Sequence, residues 1–486
     1  MAEAPGATGP ANTVTLKTPA GLLRGAQRDG MRTFLGVPYA RPPVGELRWR
    51  VPQPLPPWSG TRDALQFGAQ CMQAQRAGAP VPMSEDCLFL NVWAPAIPRP
   101  RHLPVLVWVH GGAFKVGSAG QPVYDGASLA RQGMVVVSLN YRLGKFGFLA
   151  HPALTQENPA GPLGNYGLMD VLAALQWVKA NIKAFDGDPR KVTLAGQSAG
   201  GTAVYDLMTS PLSAGLFSKA IIESGVFSNP APTFAKAEQS GLAAALTWDA
   251  SAKDAAALRR LSAAQVQGDG PALAGNFGPM IDGKVLPQDV ATAFDEGQIV
   301  HVPLLIGSNS YEAGFFGNAP KGLAQRLASV WPRVTAVFDG YGTHRTDLIE
   351  SELFTDMTIT APTRNAARGA AASGSPTFLY YYSYVRPSQR DRVPGASHMD
   401  EVYALFGHMN LMQGHGPSDP DPLPIVGAMQ ERWARFVSTG NPASKAEPWP
   451  ALDLANQQLL EFSNDGEFVR TDFAAQRLDL AAAIPR

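Results

Sequence analysis

The sequence predicts an α/β fold built on a large, mostly parallel central sheet flanked by helices. Two observations lead to this prediction. Short apolar runs typical of buried strands recur along the chain, and segments with helical periodicity lie between them. The apolar runs are Cys87–Trp93, Pro104–His110, Met134–Asn140, Val192–Ala195, Ala220–Glu223 and Pro303–Gly307. Apolar strands that alternate with helices indicate a parallel sheet covered on both faces.

Further elements complete this organisation. A hairpin is predicted over Val14–Arg32, where a Pro-Ala-Gly turn separates two short strand-like segments. Helices or helical regions are predicted at Met169–Ile182, Gly201–Met208, Ala235–Gln267, Leu323–Ala370 and Met429–Thr439. No linker divides the chain. We therefore expect a flexible lead-in over residues 1–13 and a single domain over residues 14–486.

The composition argues against two classes of partner. The 486 residues hold 40 Lys and Arg against 40 Asp and Glu, so the formal net charge is zero. A neutral chain without a basic run lacks the surface that nucleic-acid binding requires. The longest apolar runs, such as Val105–Val109, are far shorter than the roughly 20 residues of a membrane span. We expect no nucleic-acid partner and no membrane span.

The two cysteines, Cys71 and Cys87, lie sixteen positions apart. No nearby histidine pair completes a tetrahedral site, so no metal is expected. Two interpretations remain, a disulfide that closes a short loop or two buried thiols, and the disulfide is favoured. A disulfide indicates an oxidising compartment, although Met1–Asn12 lacks the apolar core of a secretory signal. We expect a secreted or periplasmic protein, with a cytoplasmic one as the alternative.

The most specific motif is the Gly-x-Ser-x-Gly frame around Ser198, within KVTLAGQSAGG (191–201). It follows a β-branched strand and precedes a helix, and a sharp turn there exposes the serine oxygen while the glycines leave room. A second motif, HGGAF (110–114), directly follows a predicted strand. Backbone N–H groups of such a loop bind a developing oxyanion. A plain Gly-Gly turn is the alternative, but the position ahead of Ser198 favours an oxyanion loop.

With these motifs, blocks along almost the whole chain resemble the type B carboxylesterases, a branch of the α/β-hydrolases. The matching blocks are FLGVPYARPPVGELRWR (34–50), SEDCLFLNVWAP (84–95), HGGAFKVGS (110–118), NYRLGKFGFL (140–149), GNYGLMDVLAALQWVKANIKAFDGDP (164–189), GQSAGG (196–201) and MQERWARFVSTGNP (429–442). The resemblance implies an α/β-hydrolase fold with helical insertions around an active-site gorge. It also implies a Cys71–Cys87 disulfide and structural ion pairs of Arg48 with Glu85 and of Arg142 with Asp170.

The same resemblance assigns a catalytic triad. Ser198 is the expected nucleophile, His398 in GASHMDEVYALFG (395–407) the base, and Glu312 in GSNSYEAGFF (307–316) the acid that orients it. The order serine, acid, histidine is that of α/β-hydrolases. The expected oxyanion donors are the N–H groups of Gly112, Ala113 and Ala199, with HGGA where many relatives have HGGG. Acyl transfer through a serine ester needs no cofactor, so none is expected.

Three residues are expected at the substrate. Lys115 directly follows HGGAF, at a position that faces the gorge and is usually aromatic or apolar in cholinesterases. Our hypothesis is that its ammonium receives a carboxylate of fumonisin-type toxins or aromatic diacid half-esters; the alternative is a lysine that extends to solvent. Phe315 and Phe316 are predicted to form an apolar wall, with core packing as the alternative for one of them. Ser224 either hydrogen-bonds near the active site or is an ordinary strand-end serine.

Three other functions are alternatives to a serine carboxylesterase. These are a non-catalytic cholinesterase-like binding module, a lipase of the same family and a serine peptidase. The intact Ser198, Glu312 and His398 argue against the binding module, and esterase-like motifs throughout argue against the peptidase. The loop between the cysteines is short and has no aromatic residue, which argues against a choline site and a lipase lid. The expected partner is a small-molecule ester, and the expected state is a monomer or homodimer.

Overall fold

The computed structural model describes most of the chain, and its two compact units are considered separately. The described residues are 12–74, 82–96, 102–161, 163–226, 231–249, 253–268, 277–317, 320–412, 416, 419, 424–444 and 448–484. The first unit comprises Met1–Lys219 with Ala231–Asp289, and the second comprises Ala220–Pro230 with Val290–Arg486. Of the predicted lead-in over residues 1–13, residues 1–11 lie outside the described part and the first strand begins at Asn12. A single domain over residues 14–486 stays a prediction.

The described strands of the first unit form a sheet that is antiparallel at one side and parallel at the other. They are β1 Asn12–Thr18, β2 Gly21–Arg28, β3 Met31–Pro38, β4 Thr61–Asp63, β5 Gln70–Cys71, β6 Met83–Ser84, β7 Phe89–Pro95, β8 Leu103–Val109, β9 Val135–Leu139 and β10 Gly187–Gln197. The order is β1-β2-β3-β7-β9-β8-β10, with β4 beside β2 and a separate pair of β5 and β6. Pairing is parallel from β9 through β8 to β10, so Val107 lies between Val137 and Leu194. Both β8 and β9 are almost fully buried, which accounts for their near-continuous apolar runs.

In the first unit, the predicted helical region Ala235–Gln267 consists of three separate helices. The described helices are α1 Ala127–Ala130, α2 Gly144–Phe148, α3 Pro152–Glu157, α4 Tyr166–Asn181, α5 Ala199–Thr209, α6 Phe234–Trp248, α7 Ala255–Arg260 and α8 Ala263–Gln267. The last three directly follow Thr233, Asp254 and Ser262, whose side chains accept hydrogen bonds from backbone N–H groups of the first turn. These caps start a new helix each time. Residues 250–252 of the predicted region lie outside the described part.

The described strands of the second unit are mostly parallel. They are β11 Lys219–Glu223, β12 Leu304–Asn309, β13 Thr377–Tyr382, β14 Leu459–Ser463 and β15 Gly466–Arg470. Successive strands pair, in parallel from β11 to β14 and antiparallel between β14 and β15. The described helices are α9 Val290–Asp295, α10 Leu323–Arg326, α11 Trp331–Asp339, α12 Thr346–Thr355, α13 Ala361–Ala372, α14 Asp400–Phe406, α15 Pro424–Thr439 and α16 Ala475–Ala483. A π-helical turn at Asp356–Thr360 joins α12 to α13.

The predicted elements agree well with these units. Each of the six predicted strands overlaps one of β7 to β12, and the predicted hairpin corresponds to β1 and β2. The predicted helices overlap α4, α5 and α15, and the region Leu323–Ala370 overlaps α10 to α13. The strands β13, β14 and β15 were not predicted. No helix in the described part of the chain is both long and apolar enough to span a bilayer.

Both ion pairs that the resemblance implied are confirmed in the first unit. The guanidinium of Arg142 donates from Nε and Nη2 to the two carboxylate oxygens of Asp170, at 2.8 Å each. Arg48 binds Glu85 in the same two-point manner, at 2.6 and 2.5 Å. The side chains of Arg142 and Asp170 are only 3% and 0% exposed. Because a buried charge without its partner is strongly destabilising, these residues serve the fold rather than the chemistry.

The predicted disulfide is also present. The sulfurs of Cys71 and Cys87 are bonded, and both residues are buried. The bond closes a loop with a sequence separation of 16 residues and links β5 to the segment before β7. Closing a loop of this size restricts the unfolded chain, so the bond stabilises the folded state.

Removing this disulfide should therefore lower the free energy of unfolding by roughly 3 kcal/mol. The double variant Cys71→Ala/Cys87→Ala can be compared with the oxidised protein by chemical denaturation. Both proteins are then measured again with a reducing agent, which should shift the midpoint of the parent only. Equal midpoints for the parent and the variant under oxidising conditions would contradict the expectation.

Candidate active site

Ser198 occupies a sharp turn between β10 and α5. Its φ of 56° and ψ of −124° lie in a region that few residues other than glycine adopt. A Cβ at Gly196 would lie 2.5 Å from the carbonyl oxygen of Gly200, and one at Gly200 would lie 2.0 Å from the carbonyl oxygen of Val109. The two glycines are therefore required by the close approach of β8, β10 and α5. The strand-turn-helix predicted around Ser198 is present, and the serine is partly exposed.

The loop after β8 makes a tight turn of left-handed residues. The φ values of Gly112, Ala113 and Phe114 are 116°, 56° and 59°. A Cβ at Gly112 would lie 1.9 Å from the carbonyl oxygen of Val116, so only glycine fits there. The backbone N–H groups of Lys115 and Val116 both donate to the carbonyl oxygen of Gly112, at 3.0 Å. Ala113 adopts this conformation despite its side chain, so alanine in place of a third glycine is compatible with the turn.

This loop packs against the turn that carries Ser198. A Cβ at Gly111 would lie 2.9 Å from the carbonyl oxygen of Gln197 and 3.1 Å from Cβ of Ser198. Ala199 is the first residue of α5 and is buried. The first N–H groups of a helix have no partner inside it. The first unit thus brings the predicted oxyanion loop next to the predicted nucleophile.

His110 supports this loop as a neutral residue. It is buried, and its Nδ1 lies 2.8 Å from the carbonyl oxygen of Gly111. Its ring stacks on Tyr141 with centroids 4.6 Å apart, and the Tyr141 hydroxyl donates to the His110 carbonyl oxygen at 3.0 Å. Burial lowers the pKa of His110 to about 4, so the ring is uncharged at neutral pH. Its contacts fit a structural role.

The second unit brings the predicted acid and base together. Glu312 begins a 3-10 helix at Glu312–Phe316 directly after β12, and His398 lies just before α14. Nδ1 of His398 lies 2.5 Å from Oε2 of Glu312, and their side chains are 1% and 0% exposed. The other carboxylate oxygen, Oε1, accepts from the backbone N–H of Asn309 at 2.8 Å. A carboxylate at Nδ1 selects the tautomer whose Nε2 accepts a proton, as a general base requires.

Phe315 and Phe316 lie beside the imidazole. Their ring centroids are 4.9 and 5.8 Å from that of His398. Phe315 is 51% exposed, whereas Phe316 also packs on Phe354, with centroids 5.3 Å apart. Phe315 therefore presents apolar surface next to the base, and the core-packing alternative describes Phe316 better.

Lys115 follows the oxyanion loop and is partly buried. Burial lowers the pKa of its ammonium from the ordinary value. A partly desolvated ammonium binds an anion more strongly than one in bulk water, because the surrounding dielectric is lower. The position is compatible with the predicted contact to a substrate carboxylate.

Two buried polar residues near the base were missed in the sequence, although both lie inside motifs used to assign the triad. Asn309 precedes the acid in GSNSYEAGFF, and Glu401 ends the G-x-x-H-x-x-E motif. Both are fully buried. The hydroxyl of Ser224 donates to Oε1 of Glu401 at 3.3 Å, which supports the hydrogen-bonding interpretation of Ser224. For Asn309, the available signal in the sequence was a polar side chain at the end of an apolar strand.

Comparison with known proteins shows which family the chain belongs to. A model of the carboxylesterase family matches residues 11–329 and 342–481. The chain belongs to the carboxylesterase family. The predicted likeness to type B carboxylesterases is thereby confirmed, and this carboxylesterase is a carboxylic ester hydrolase that acts on small esters.

Individual relatives of this carboxylesterase match over most of their length. It is 43% identical over 470 residues to a fumonisin B1 esterase of Sphingopyxis macrogoltabida, covering 90% of this chain and 84% of the relative. It is 33% identical over 481 residues to a para-nitrobenzyl esterase of Bacillus subtilis (strain 168), covering 90% and 93%. A solved PNB esterase superposes with a TM-score of 0.83 at 29% identity, covering 97% of this chain and 99% of that one. The predicted α/β-hydrolase fold is confirmed.

Proposed function

We propose that this carboxylesterase hydrolyses carboxylate-bearing esters through an acyl-enzyme formed on Ser198. The buried hydrogen bond between Nδ1 of His398 and Oε2 of Glu312 is the observation that supports this mechanism most directly. It leaves Nε2 of His398 as the proton acceptor, because Nδ1 holds its hydrogen toward the carboxylate. The strained turn at Ser198 and the adjacent left-handed loop support the proposed nucleophile and oxyanion hole.

In the proposed reaction, Nε2 of His398 takes the proton of the Ser198 hydroxyl as Oγ attacks the ester carbonyl. The developing oxyanion accepts hydrogen bonds from the N–H groups of Gly112, Ala113 and Ala199. The imidazolium then gives its proton to the leaving alcohol, and an acyl-enzyme remains. A water molecule attacks the acyl group by the same route, and the acid product leaves. Throughout, Glu312 orients the imidazole and stabilises its charged form.

The substrate class rests on Lys115 and on one relative. A cation directly after the oxyanion loop favours substrates whose acyl part carries a second carboxylate. The fumonisin B1 esterase at 43% identity hydrolyses an ester of that toxin class. We therefore propose fumonisin-type toxins, or half-esters of aromatic diacids, as the preferred substrates. Phe315 adds an exposed aromatic surface beside the base for the apolar part of such a molecule.

Replacing Lys115 by alanine should lower kcat/KM for carboxylate-bearing esters by about tenfold or more, because a charge-assisted hydrogen bond to the substrate is lost. Hydrolysis of a neutral ester of the same alcohol should change by less than about twofold. The measurement is a pair of p-nitrophenyl esters, a succinate monoester and a butyrate, with fumonisin B1 as a third substrate. The variant Lys115→Arg should keep most of the preference, since it keeps the charge.

Lys145→Ala provides a matched control for this prediction. Lys145 is also partly buried, and burial lowers its pKa as well. Its ammonium donates to the carbonyl oxygen of Gln267 at 2.8 Å, so it has a structural partner. This variant should leave the ratio between charged and neutral esters unchanged. Equal losses on both esters in Lys115→Ala would support a lysine that extends to solvent and would reject the carboxylate contact.

We also propose that the protein works as a monomer or homodimer in a secreted or periplasmic setting, with the cytoplasm as the alternative. The disulfide between Cys71 and Cys87 supports an oxidising compartment, because cytosolic thiols are kept reduced. Mass determination of the protein isolated under thiol-blocking conditions tests this. Alkylation of both cysteines in freshly isolated native protein would favour the cytoplasm, and light scattering gives the oligomeric state.

A further inference from the structure

Asn309 makes three hydrogen bonds around the acid and the base, one from its backbone and two from its side-chain amide. Asn309 is the last residue of β12 and is fully buried. Its backbone N–H donates to Oε1 of Glu312 at 2.8 Å. Its side-chain nitrogen donates to the carbonyl oxygen of Ser397 at 2.7 Å and also to Oε2 of Glu401. One residue therefore contacts the acid, the residue before the base and the residue three positions after it.

Glu401 is a fully buried carboxyl group that accepts hydrogen bonds from neutral donors. Its Oε1 accepts from the Ser224 hydroxyl, and its Oε2 accepts from Asn309. Burial, followed by the nearby carboxyls of Glu312 and Glu223, raises the pKa of Glu401 well above its usual range. These surroundings favour the neutral form of Glu401, which brings no second negative charge beside Glu312. The amide of Asn309 is neutral, so it adds no charge beside the carboxyl group of Glu401.

We propose that Asn309 is a positioning residue, which fixes the imidazole of His398 against Glu312 by binding the chain on both sides of His398. The inference rests on the proposed catalytic roles of Glu312 and His398. Asn309 itself touches no reacting atom in this scheme. It acts by holding the distance and orientation of the pair, on which proton transfer from the nucleophile depends.

Other hydrogen bonds join the same two segments but do not reach the carboxyl groups. The backbone N–H of Ala396 donates to Oγ of Ser310 at 2.8 Å, and the N–H of Tyr311 donates to the carbonyl oxygen of Ala396 at 2.8 Å. These bonds hold the segments next to each other. The side chain of Ser310 therefore offers a matched control, because it links the segments without contacting Glu312 or Glu401.

Asn309→Asp is the sharpest test, since the two side chains have the same shape. Aspartate at this position faces the carbonyl of Ser397 and the carboxyl of Glu401, and two carboxyls in contact share one proton, which leaves about one added negative charge. We expect kcat to fall by about a hundredfold with KM within about twofold, because the imidazole loses its fixed position. The added charge stabilises the imidazolium of His398. The acid limb of the kcat/KM profile should therefore move to higher pH by about one unit.

The charged and titratable groups around this position decide how the pH profile is interpreted. The carboxyls of Glu312, Glu223 and Glu401 face it from the 3-10 helix, β11 and α14, and Tyr382 of β13 also interacts with Glu401. Burial raises the pKa of Asp400 to about 6, so that group titrates in both the parent and the variant. The shift between the two profiles, rather than either profile alone, is the quantity to compare.

Asn309→Ala serves as a second variant where the aspartate protein does not accumulate in folded form. It removes the amide without adding charge, so kcat should again fall by about a hundredfold while the acid limb stays within about 0.3 pH units. Ser310→Ala should keep kcat within about threefold and leave the profile unchanged. Thermal melts establish that each variant is folded before its kinetics are compared.

Distinct outcomes separate this inference from the proposed mechanism. Parental kcat in both Asn309 variants, or an equal loss in Ser310→Ala, would overturn the positioning role. His398→Ala is measured in parallel, and it should be almost inactive. If His398→Ala retained hydrolysis, the assigned base would be wrong, whereas an inactive His398→Ala beside fully active Asn309 variants would reject the positioning role alone.

Discussion

Replacing Ser198 by alanine should lower kcat for ester hydrolysis by about five orders of magnitude, because no acyl-enzyme forms without the hydroxyl. Alanine keeps the Cβ, so it should tolerate the φ of 56° as serine does, and the turn should survive. The residual rate would come from binding and from the oxyanion donors. Hydrolysis of p-nitrophenyl butyrate gives kcat, and a melting curve checks the fold.

Covalent labelling locates the nucleophile independently of the rate. A fluorophosphonate probe should modify the parent protein at one peptide, which contains Ser198, and should not label the alanine variant. Ser218→Ala is the control, since the Ser218 hydroxyl donates to the carbonyl oxygen of Val192 and has a structural partner. Its kcat and labelling should match those of the parent. Labelling of the Ser198→Ala protein at another residue would show that the nucleophile lies elsewhere.

The first unit shows why the nucleophile turn and the oxyanion loop could be predicted from the sequence. Both depend on local backbone requirements that only particular residues meet. Gly196 and Gly200 are needed because a Cβ at either would collide with neighbouring backbone, and Gly112 is needed for the same reason. Such requirements leave a short motif in the chain. The parallel strands could also be predicted from the sequence, because strands buried on both faces consist of nearly continuous apolar runs.

The parts that were missed depend on contacts between distant residues. Asn309 lies 88 positions from Ser397 and 92 from Glu401, so its role follows from the pairing of segments rather than from a local pattern. The strand β13, TFLYYY, is rich in tyrosine, and its burial became clear only with β12 and β14 on either side. The contact of Phe316 with Phe354 is of the same kind. The roles of these residues depend on partners that only the fold brings next to them.

Replacing the acid Glu312 by glutamine should lower kcat by about 10⁴-fold while KM changes little. The reason lies in the fixed surroundings of the carboxyl group. Its Oε1 accepts from the backbone N–H of Asn309, and a glutamine would keep its oxygen there because that N–H needs an acceptor. The amide nitrogen would then face Nδ1 of His398 as a donor. Nδ1 would have to accept, so Nε2 would carry the hydrogen and could not take the proton of the nucleophile.

A second variant of Glu312 distinguishes the loss of charge from the wrong tautomer. Glu312→Ala removes the carboxylate without placing a donor at Nδ1, so it should retain more activity than Glu312→Gln. Asp400→Asn is the matched control. Asp400 is a partly buried carboxyl two positions from the base, and it accepts from the backbone N–H of Ser397 instead of binding the imidazole. This variant should lower kcat by less than about tenfold. Proton NMR of the His398 ring should show the Nδ1–H signal in the parent and not in Glu312→Gln. Higher activity in Glu312→Gln than in Glu312→Ala would mean that the carboxylate acts mainly by its charge rather than by selecting the tautomer.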